Sequence, residues 1–247
     1  MKLPFKLDCD TQRKKSLGLI VLSVDETIED EFRPLFSRDD AALYHSRIES
    51  APEVTSETLA RMKDRLAEAA NLLPGARSLD VVGYACTSGA TVIGSDQVAA
   101  AIRSVHADTA VTDPARAVVA ALHRLNVTRI GVISPYVAEV SDAICALLVR
   151  NGLSPVTVGS FGQAEEVVVA RIALRSVEEA ICAVGEEQHI EAVFASCTNL
   201  RTLKVIERCE QRLGKPVISS NLALAWHMMT LAGLPVDGAG PGRLFNC

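Results

Sequence analysis

Two cysteines in this chain share one setting. Cys86 ends the run Val81-Val82-Gly83-Tyr84-Ala85 and is followed by Thr87-Ser88-Gly89, while Cys197 ends Val193-Phe194-Ala195-Ser196 and is followed by Thr198-Asn199-Leu200-Arg201. Each apolar run suits a short buried parallel strand, and the residues behind it read as helix, over 200–213 with Gly214 as the stop in the second case. Each thiol would then stand at the C-terminal tip of a strand. Open α/β sheets bind ligands there, and the amides that open the next helix present positive partial charge. That setting predicts a thiol pKa below about 8.5, with a usable thiolate fraction near neutrality. One thiolate can act as nucleophile or base while the other stays protonated. The two stretches lie about half a chain length apart, as an internal duplication would leave them, so two facing thiols are the central expectation.

Around the thiols, Thr87, Ser88, Thr198 and Asn199 offer hydroxyl, amide and backbone N–H groups that can cradle a substrate carboxylate; plain helix N-capping accounts for them equally well. Tyr136 falls in the corresponding loop of the second half, as a phenolic hydrogen-bond donor or as an aromatic cover for the sheet. Asp25 lies in the first strand-end loop, Ser23-Val24-Asp25-Glu26-Thr27. Cys145, Cys182 and Cys209 fall within expected helices and read as small hydrophobes, and Cys9 and Cys247 lie near the ends and need no role. The five histidines have no metal-ligand spacing, and His227 beside Trp226 reads as core. Gly238 to Gly242 imitates a phosphate loop, but no helix can follow it in the residues left, and there is no Gly-x-Ser-x-Gly elbow.

The elements that must position these residues alternate strand and helix, which implies parallel sheets. Strands are expected over 17–22, 43–48, 79–85 and 110–112, then 129–134, 153–158, 190–196 and 216–219. Helices are expected over 28–36, 56–72, 96–105, 114–125, 137–150, 200–213 and 222–231, with 159–162 a flexible loop and Ser176 with Glu179 a capping box. The division is a loose arm over 1–15, a first lobe over 16–112, a second over 113–217 and a C-terminal segment over 218–247.

With 247 residues, 49% of them apolar, the chain can bury a full core. A net charge of −5 and 25 scattered Lys and Arg residues exclude a nucleic-acid surface, and no apolar run approaches the roughly 20 residues of a membrane span. The first residues lack a signal-peptide core, so a cytoplasmic protein is expected. Seven irregularly spaced cysteines without a Cys-x-x-Cys pair favour free thiols over disulfides or zinc. Two uses are open to the apolar helix over 223–231: a homo-oligomer contact, or core.

The pair Cys86-Thr-Ser-Gly and Ser-Cys197-Thr-Asn-Leu-Arg, followed by Lys215-Pro-Val-Ile-Ser-Ser-Asn221 and Ala225-Trp-His, resembles the maleate cis-trans isomerase branch of the aspartate/glutamate racemase superfamily over nearly the whole chain. The resemblance implies an α/β fold of two pseudo-symmetric lobes, each a central parallel sheet flanked by helices. It also implies that the last segment returns to the first lobe, that the active site lies between the lobes, and that no cofactor is used. It casts Cys86 as the nucleophile that adds to an activated double bond or takes a proton, and Cys197 as the acid/base on the opposite face. In the isomerase version, thiol addition makes a single bond that rotates before elimination; in the racemase version, two thiols exchange protons.

One departure stands out. The isomerases carry Asn in a Val-Pro-Ser-x-Asn-Thr pattern, where this chain reads Val21-Leu-Ser-Val-Asp25-Glu-Thr27. Asp25 would repel a second substrate carboxylate and better suits an amine, amide or hydroxyl. The altered loop is similar to that of the ectoine-utilisation proteins. Arylmalonate decarboxylases share the fold but keep only the second-half thiol. The expectation is a cofactor-independent two-cysteine isomerase or racemase of a small carboxylic acid, with a decarboxylase or a binding protein without turnover as the alternatives.

Overall fold

The structure is a computed structural model that describes residues 1–6, 14–76 and 78–247. Cys9 and the middle of the expected N-terminal arm lie outside the described residues. The first half runs β1 (Lys15–Leu22), α1 (Ile28–Phe36), β2 (Ala41–Ile48), α2 (Ser56–Arg61), α3 (Leu66–Asn71), β3 (Val81–Ala85), α4 (Thr87–Ile93), α5 (Ser95–Arg103), β4 (Ala110–Thr112) and α6 (Pro114–Arg124). The second runs β5 (Arg129–Tyr136), α7 (Ala138–Arg150), β6 (Ser154–Gln163), α8 (Glu166–Val169), α9 (Leu174–Gly185), β7 (Ala192–Ala195), α10 (Ile206–Leu213), β8 (Val217–Ser219) and α11 (Ser220–Ala232).

The strands form two four-stranded sheets, ordered β2-β1-β3-β4 and β6-β5-β7-β8. All pairs within them are parallel. The two orders correspond strand for strand, as the repeated strand-cysteine pattern predicts. In this order the chain reverses direction between β1 and β3, and again between β5 and β7, so a crevice opens at those tips. Both central strands are apolar and buried on both faces from Leu17 to Leu22 and from Ile130 to Tyr136, as a doubly covered parallel sheet demands.

The helices begin where local chemistry starts them. Asp113 caps α6 by accepting from the Arg116 amide at 2.9 Å, with Pro114 in the first turn, and Ser219 caps α11 through the Leu222 amide at 3.1 Å. The helices that follow the two last strands pack against each other and exchange sheets: α6 lies on β8, and α11 lies on β3 and β4. Gly83 permits this, because a Cβ there would sit 2.7 Å from Met228 Sδ of α11. From Ser220 to Trp226 every residue of α11 is buried, so of the two uses open to this helix the structure selects core.

Several local expectations are corrected. The helix over 56–72 is broken by a 3-10 segment, Met62–Arg65. The segment over 159–162 is strand, because β6 continues along β5 to Gln163. Helix α9 starts at Leu174 without a side-chain cap, and Glu179 pairs with Arg175 at 2.8 Å rather than forming a capping box with Ser176. The helix after Cys197 begins only at Ile206, leaving 198–205 as turns. Among the described residues, no helix is long and apolar enough to cross a membrane.

Candidate active site

The tips of β1, β3, β5 and β7 converge on one narrow, tightly closed cavity, lined by apolar Leu22 and Val24 and by Asp25, Cys86, Thr87, Ser88, Tyr136, Glu166, Cys197 and Thr198. Seven of the eight residues singled out from sequence line it. The eighth, Asn199, stands directly behind.

Cys86 occupies the N-cap of α4 in an extended conformation, φ −152°, and its Sγ accepts from the Gly89 amide at 3.2 Å. Gly89 is needed for this geometry: a Cβ would lie 2.5 Å from the Tyr84 hydroxyl and 2.9 Å from Cys86 Sγ. Helix α4 thus gives Cys86 the dipole expected from sequence, yet burial dominates and pushes the thiol up to about 12, against the Gly89 amide and the Tyr84 hydroxyl, which act downward. A rise from about 9 to about 12 disfavours the thiolate by roughly 4 kcal/mol, whereas a helix N-terminus contributes about 0.3–2 kcal/mol. The expected low pKa is therefore corrected: in the closed cavity Cys86 is a neutral thiol.

Cys197 is built differently. No helix starts behind it, and its backbone sits at φ +120°, a strained position for a residue with a Cβ. The Cys197 amide donates to Ser220 Oγ at 3.0 Å and its Sγ accepts from the Asn199 amide at 3.2 Å. Tyr136, which ends β5 rather than lying in a loop, places its hydroxyl 3.0 Å from Cys197 Sγ and donates to Glu166 Oε1 at 2.7 Å. Glu166 Oε2 accepts from Asn199 Nδ2 at 2.8 Å. Thiol, phenol and carboxyl therefore form a buried chain. Burial and then the Glu166 charge hold the Cys197 thiol well above its ordinary range; burial also raises Tyr136 and Glu166.

The small polar residues have divided tasks. Thr87 Oγ1 donates to Ser220 Oγ at 2.7 Å, so one buried serine braces both tips. Thr198 Oγ1 reaches the Ala85 carbonyl at 3.4 Å and its own carbonyl accepts from Asn221 Nδ2 at 2.8 Å. Asn199 is wholly committed: Oδ1 accepts from the Glu26 amide at 2.9 Å, and Nδ2 donates to Glu166. Ser88 Oγ is buried without a partner. Asp25 Oδ1 accepts from the amides of Thr27 and Ile28 at 2.8 and 2.9 Å, anchoring the start of α1, and burial raises its carboxyl.

Two carboxyls that the sequence reading missed shape the site. Glu166 is delivered by a strap from the second half stitched to the first: Val54 donates to the Ala164 carbonyl at 3.1 Å, the Glu166 amide donates to the Pro52 carbonyl at 3.2 Å, and Glu53 bridges Glu165. Glu31 accepts from the Thr202 and Leu203 amides at 2.6 and 2.8 Å and from Asn221 at 2.8 Å, fixing the turns after Cys197. No local motif announces either residue, since their partners are distant in sequence. Cys182 and Cys209 are buried in helices α9 and α10, and His227 contacts Thr112 Oγ1 at 2.7 Å beside Trp226, all consistent with core roles. Among the described residues, no cluster of three His, Cys, Asp or Glu is placed to hold a metal ion.

This arrangement can add a thiol to a polarised double bond, or move a proton, from either side of a bound acid. Comparison with known proteins agrees with that chemistry. The maleate isomerase of Nocardia farcinica is 26% identical, over 94% of this chain and 96% of that one. A solved Nocardia farcinica maleate cis-trans isomerase, a cysteine-to-serine mutant with a covalently bound succinylcysteine intermediate, superimposes with a TM-score of 0.85 at 24% identity, over 94% of this chain and 98% of that one. The arylmalonate decarboxylase of Bordetella bronchiseptica is 31% identical over 55% of this chain and 57% of its own. The profile of the family described as arylmalonate decarboxylase (Amdase) matches residues 17–245, and the chain belongs to that family.

Proposed function

We propose that this protein is a cysteine-based isomerase of a small unsaturated carboxylic acid, working without a cofactor. The observation that carries the reading is the pair of buried thiols at equivalent strand tips of the two sheets, both opening into one cavity. Cys86 is the nucleophile. The Cys86 thiol proton leaves to solvent as substrate enters, the opening amides of α4 and the Gly89 N–H stabilise the thiolate, and its attack on the alkene carbon converts the double bond to a single bond. Cys197 gives its proton to the neighbouring carbon and is left as a thiolate, to which the adjacent Tyr136 hydroxyl, 3.0 Å away, can donate. After rotation, Cys197 takes the proton back and Cys86 leaves, restoring the double bond in the other geometry. The enediolate that develops on the substrate carboxylate is stabilised by Ser88, Thr198 and the nearby backbone amides. The succinylcysteine of the Nocardia farcinica enzyme is the intermediate such an addition leaves, and it supports the same order of events here.

The lobes of this enzyme are 16–112 and 113–217, with 218–247 returning to the first. Decarboxylation is the second reading, favoured by the family to which the chain belongs; it uses Cys197 alone. Proton NMR in deuterated buffer with a panel of small acids separates the two. Interconversion of cis and trans acids, lost in both Cys86→Ser and Cys197→Ser, supports the isomerase. Carbon dioxide release from a malonate that survives loss of Cys86 overturns it.

A further inference from the structure

The cavity wall carries two side-chain atoms that are buried and have no hydrogen-bond partner, Asp25 Oδ2 and Ser88 Oγ. Asp25 is 4% exposed; its Oδ1 accepts from two amides, and the Thr198 hydroxyl, which lies beside the carboxyl and acts on it, is directed to the Ala85 carbonyl at 3.4 Å, which leaves Oδ2 without a hydrogen bond. The cation on this side, Arg47, is spent elsewhere: Nη1 donates to the carbonyls of Leu22, Ser23 and Asp25 at 3.1, 3.3 and 3.0 Å, and Nη2 pairs with Glu29 at 3.0 Å. The wall holds a second carboxyl, Glu166, and no Lys, Arg or His. Both Glu166 oxygens are already occupied, by Tyr136 and Asn199. The bare acceptor is therefore Asp25 Oδ2 alone, and an unpaired buried acceptor of this kind is a position a ligand donor fills at a large gain.

Resting on the isomerase reading, we infer that the substrate carries a protonated amine as well as its carboxylate, and that Asp25 Oδ2 is the receptor for the ammonium group. Ser88 Oγ, the other partnerless atom of the wall, then remains for the carboxylate. An ammonium group satisfies Asp25 and offsets the two cavity carboxyls, and it lowers the cost of forming a thiolate beside them. A dicarboxylate would instead bring two more negative charges into a small cavity without a cation. Asp25 is a specificity-determining residue on this account, and the amine-bearing acid is the substrate class.

The test is calorimetric binding of maleate and of (Z)-4-aminobut-2-enoate, which replaces one carboxylate with an aminomethyl group, to the wild-type protein and to Asp25→Asn. Asparagine keeps the acceptor for the Thr27 and Ile28 amides and turns the bare oxygen into a donor. The wild type should bind the amino acid about ten- to a hundredfold more tightly than maleate, the range for one buried hydrogen bond to a charged group, and D25N should reverse the order. Equal or tighter binding of maleate by the wild type, binding of neither acid, or an unchanged preference in D25N overturns the inference; a protonated Asp25 donating to a carboxylate would give the first of these. Proton NMR of the same samples keeps the two readings apart. Tight binding of the amino acid without cis-trans conversion leaves Asp25 as the receptor and contradicts the isomerase, whereas conversion of maleate alone supports the isomerase and overturns the ammonium receptor.

Discussion

Cys86 and Cys197 follow equivalent strands of two sheets with the same strand order, yet their surroundings differ. Cys86 has ordinary extended backbone and a regular helix behind it. Cys197 has φ +120°, irregular turns behind it, and a phenol and a carboxyl in series beside its sulfur. The first setting gives the sulfur a helix start and one backbone amide, which act against the burial that keeps it neutral, and the second places a phenol and a carboxyl in series beside the sulfur. The two sheets offer equivalent strand tips, and the segments around each tip give its sulfur different neighbours. The strap that brings Glu166 across is the clearest case, because it ties 52–54 of the first half to 164–166 of the second and places a carboxyl hydrogen-bonded to the phenol beside Cys197.

The largest effects should come from the thiols themselves. Cys86→Ser and Cys197→Ser are each expected to lower turnover by about a thousandfold or more in an NMR isomerisation assay, since residues acting as a unit fail together. Full activity in either variant breaks the comparison at its root. Next comes Glu166→Gln, which keeps the side-chain shape and removes the proton acceptor behind Tyr136. A fall in kcat of about a hundredfold with KM little changed is expected, with the pH dependence of kcat altered; an unchanged kcat would show that Cys197 works without the relay.

Gly89→Ala sharpens the comparison from the other side. The new methyl group collides with Tyr84 Oη and Cys86 Sγ, at a cost of about 1–3 kcal/mol in chemical denaturation. Activity should fall with it, whereas the alkylation rate of Cys197 in the denaturant-free protein should stay unchanged. The smallest effect is on stability against pH. Burial raises the Asp25 carboxyl in the folded chain, so the fold retains a proton that the unfolded chain releases near about pH 4. That contribution is complete below pH 4 and is lost as pH climbs through the raised folded value. Asp25→Asn removes the penalty, and its Tm should gain on the wild type from about pH 4 toward neutrality, by a few degrees at most. A Tm difference that is flat with pH would mean that Asp25 is not buried with its charge uncompensated.

Much of this site was legible in the sequence, and the parts that were not share a cause. Apolar runs followed by Cys-Thr, repeated half a chain apart, located both thiols, the strand tips and their small polar neighbours, because strand burial and tip position are local consequences of composition. Asp25 was legible for the same reason. The low thiol pKa was read from the helix alone, and it failed because burial at the junction of two sheets outweighs one dipole. Helix over 200–205 was expected from periodicity, but Glu31 and Asn221 hold that segment as turns through contacts well over a hundred or some twenty residues away in sequence. Strand β6 was expected over 153–158, but its continuation to Gln163 was not: an edge strand that alternates exposed and half-buried residues lacks the continuous apolar run of a central strand, and 159–163 carries two glycines. Glu166 follows directly from that error, since its place depends on where β6 ends.

The division of labour between the thiols is tested most directly by intact-mass and peptide-mapping spectrometry of the two serine variants incubated with a substrate identified by NMR. Cys197→Ser should accumulate an adduct of the full substrate mass on Cys86, because addition can proceed while the proton return that permits elimination is impaired, and Cys86→Ser should carry none. An adduct on Cys197 in the Cys86→Ser protein, or no adduct in either variant under conditions where the wild type turns over, would contradict the assignment of Cys86 as nucleophile and Cys197 as proton carrier.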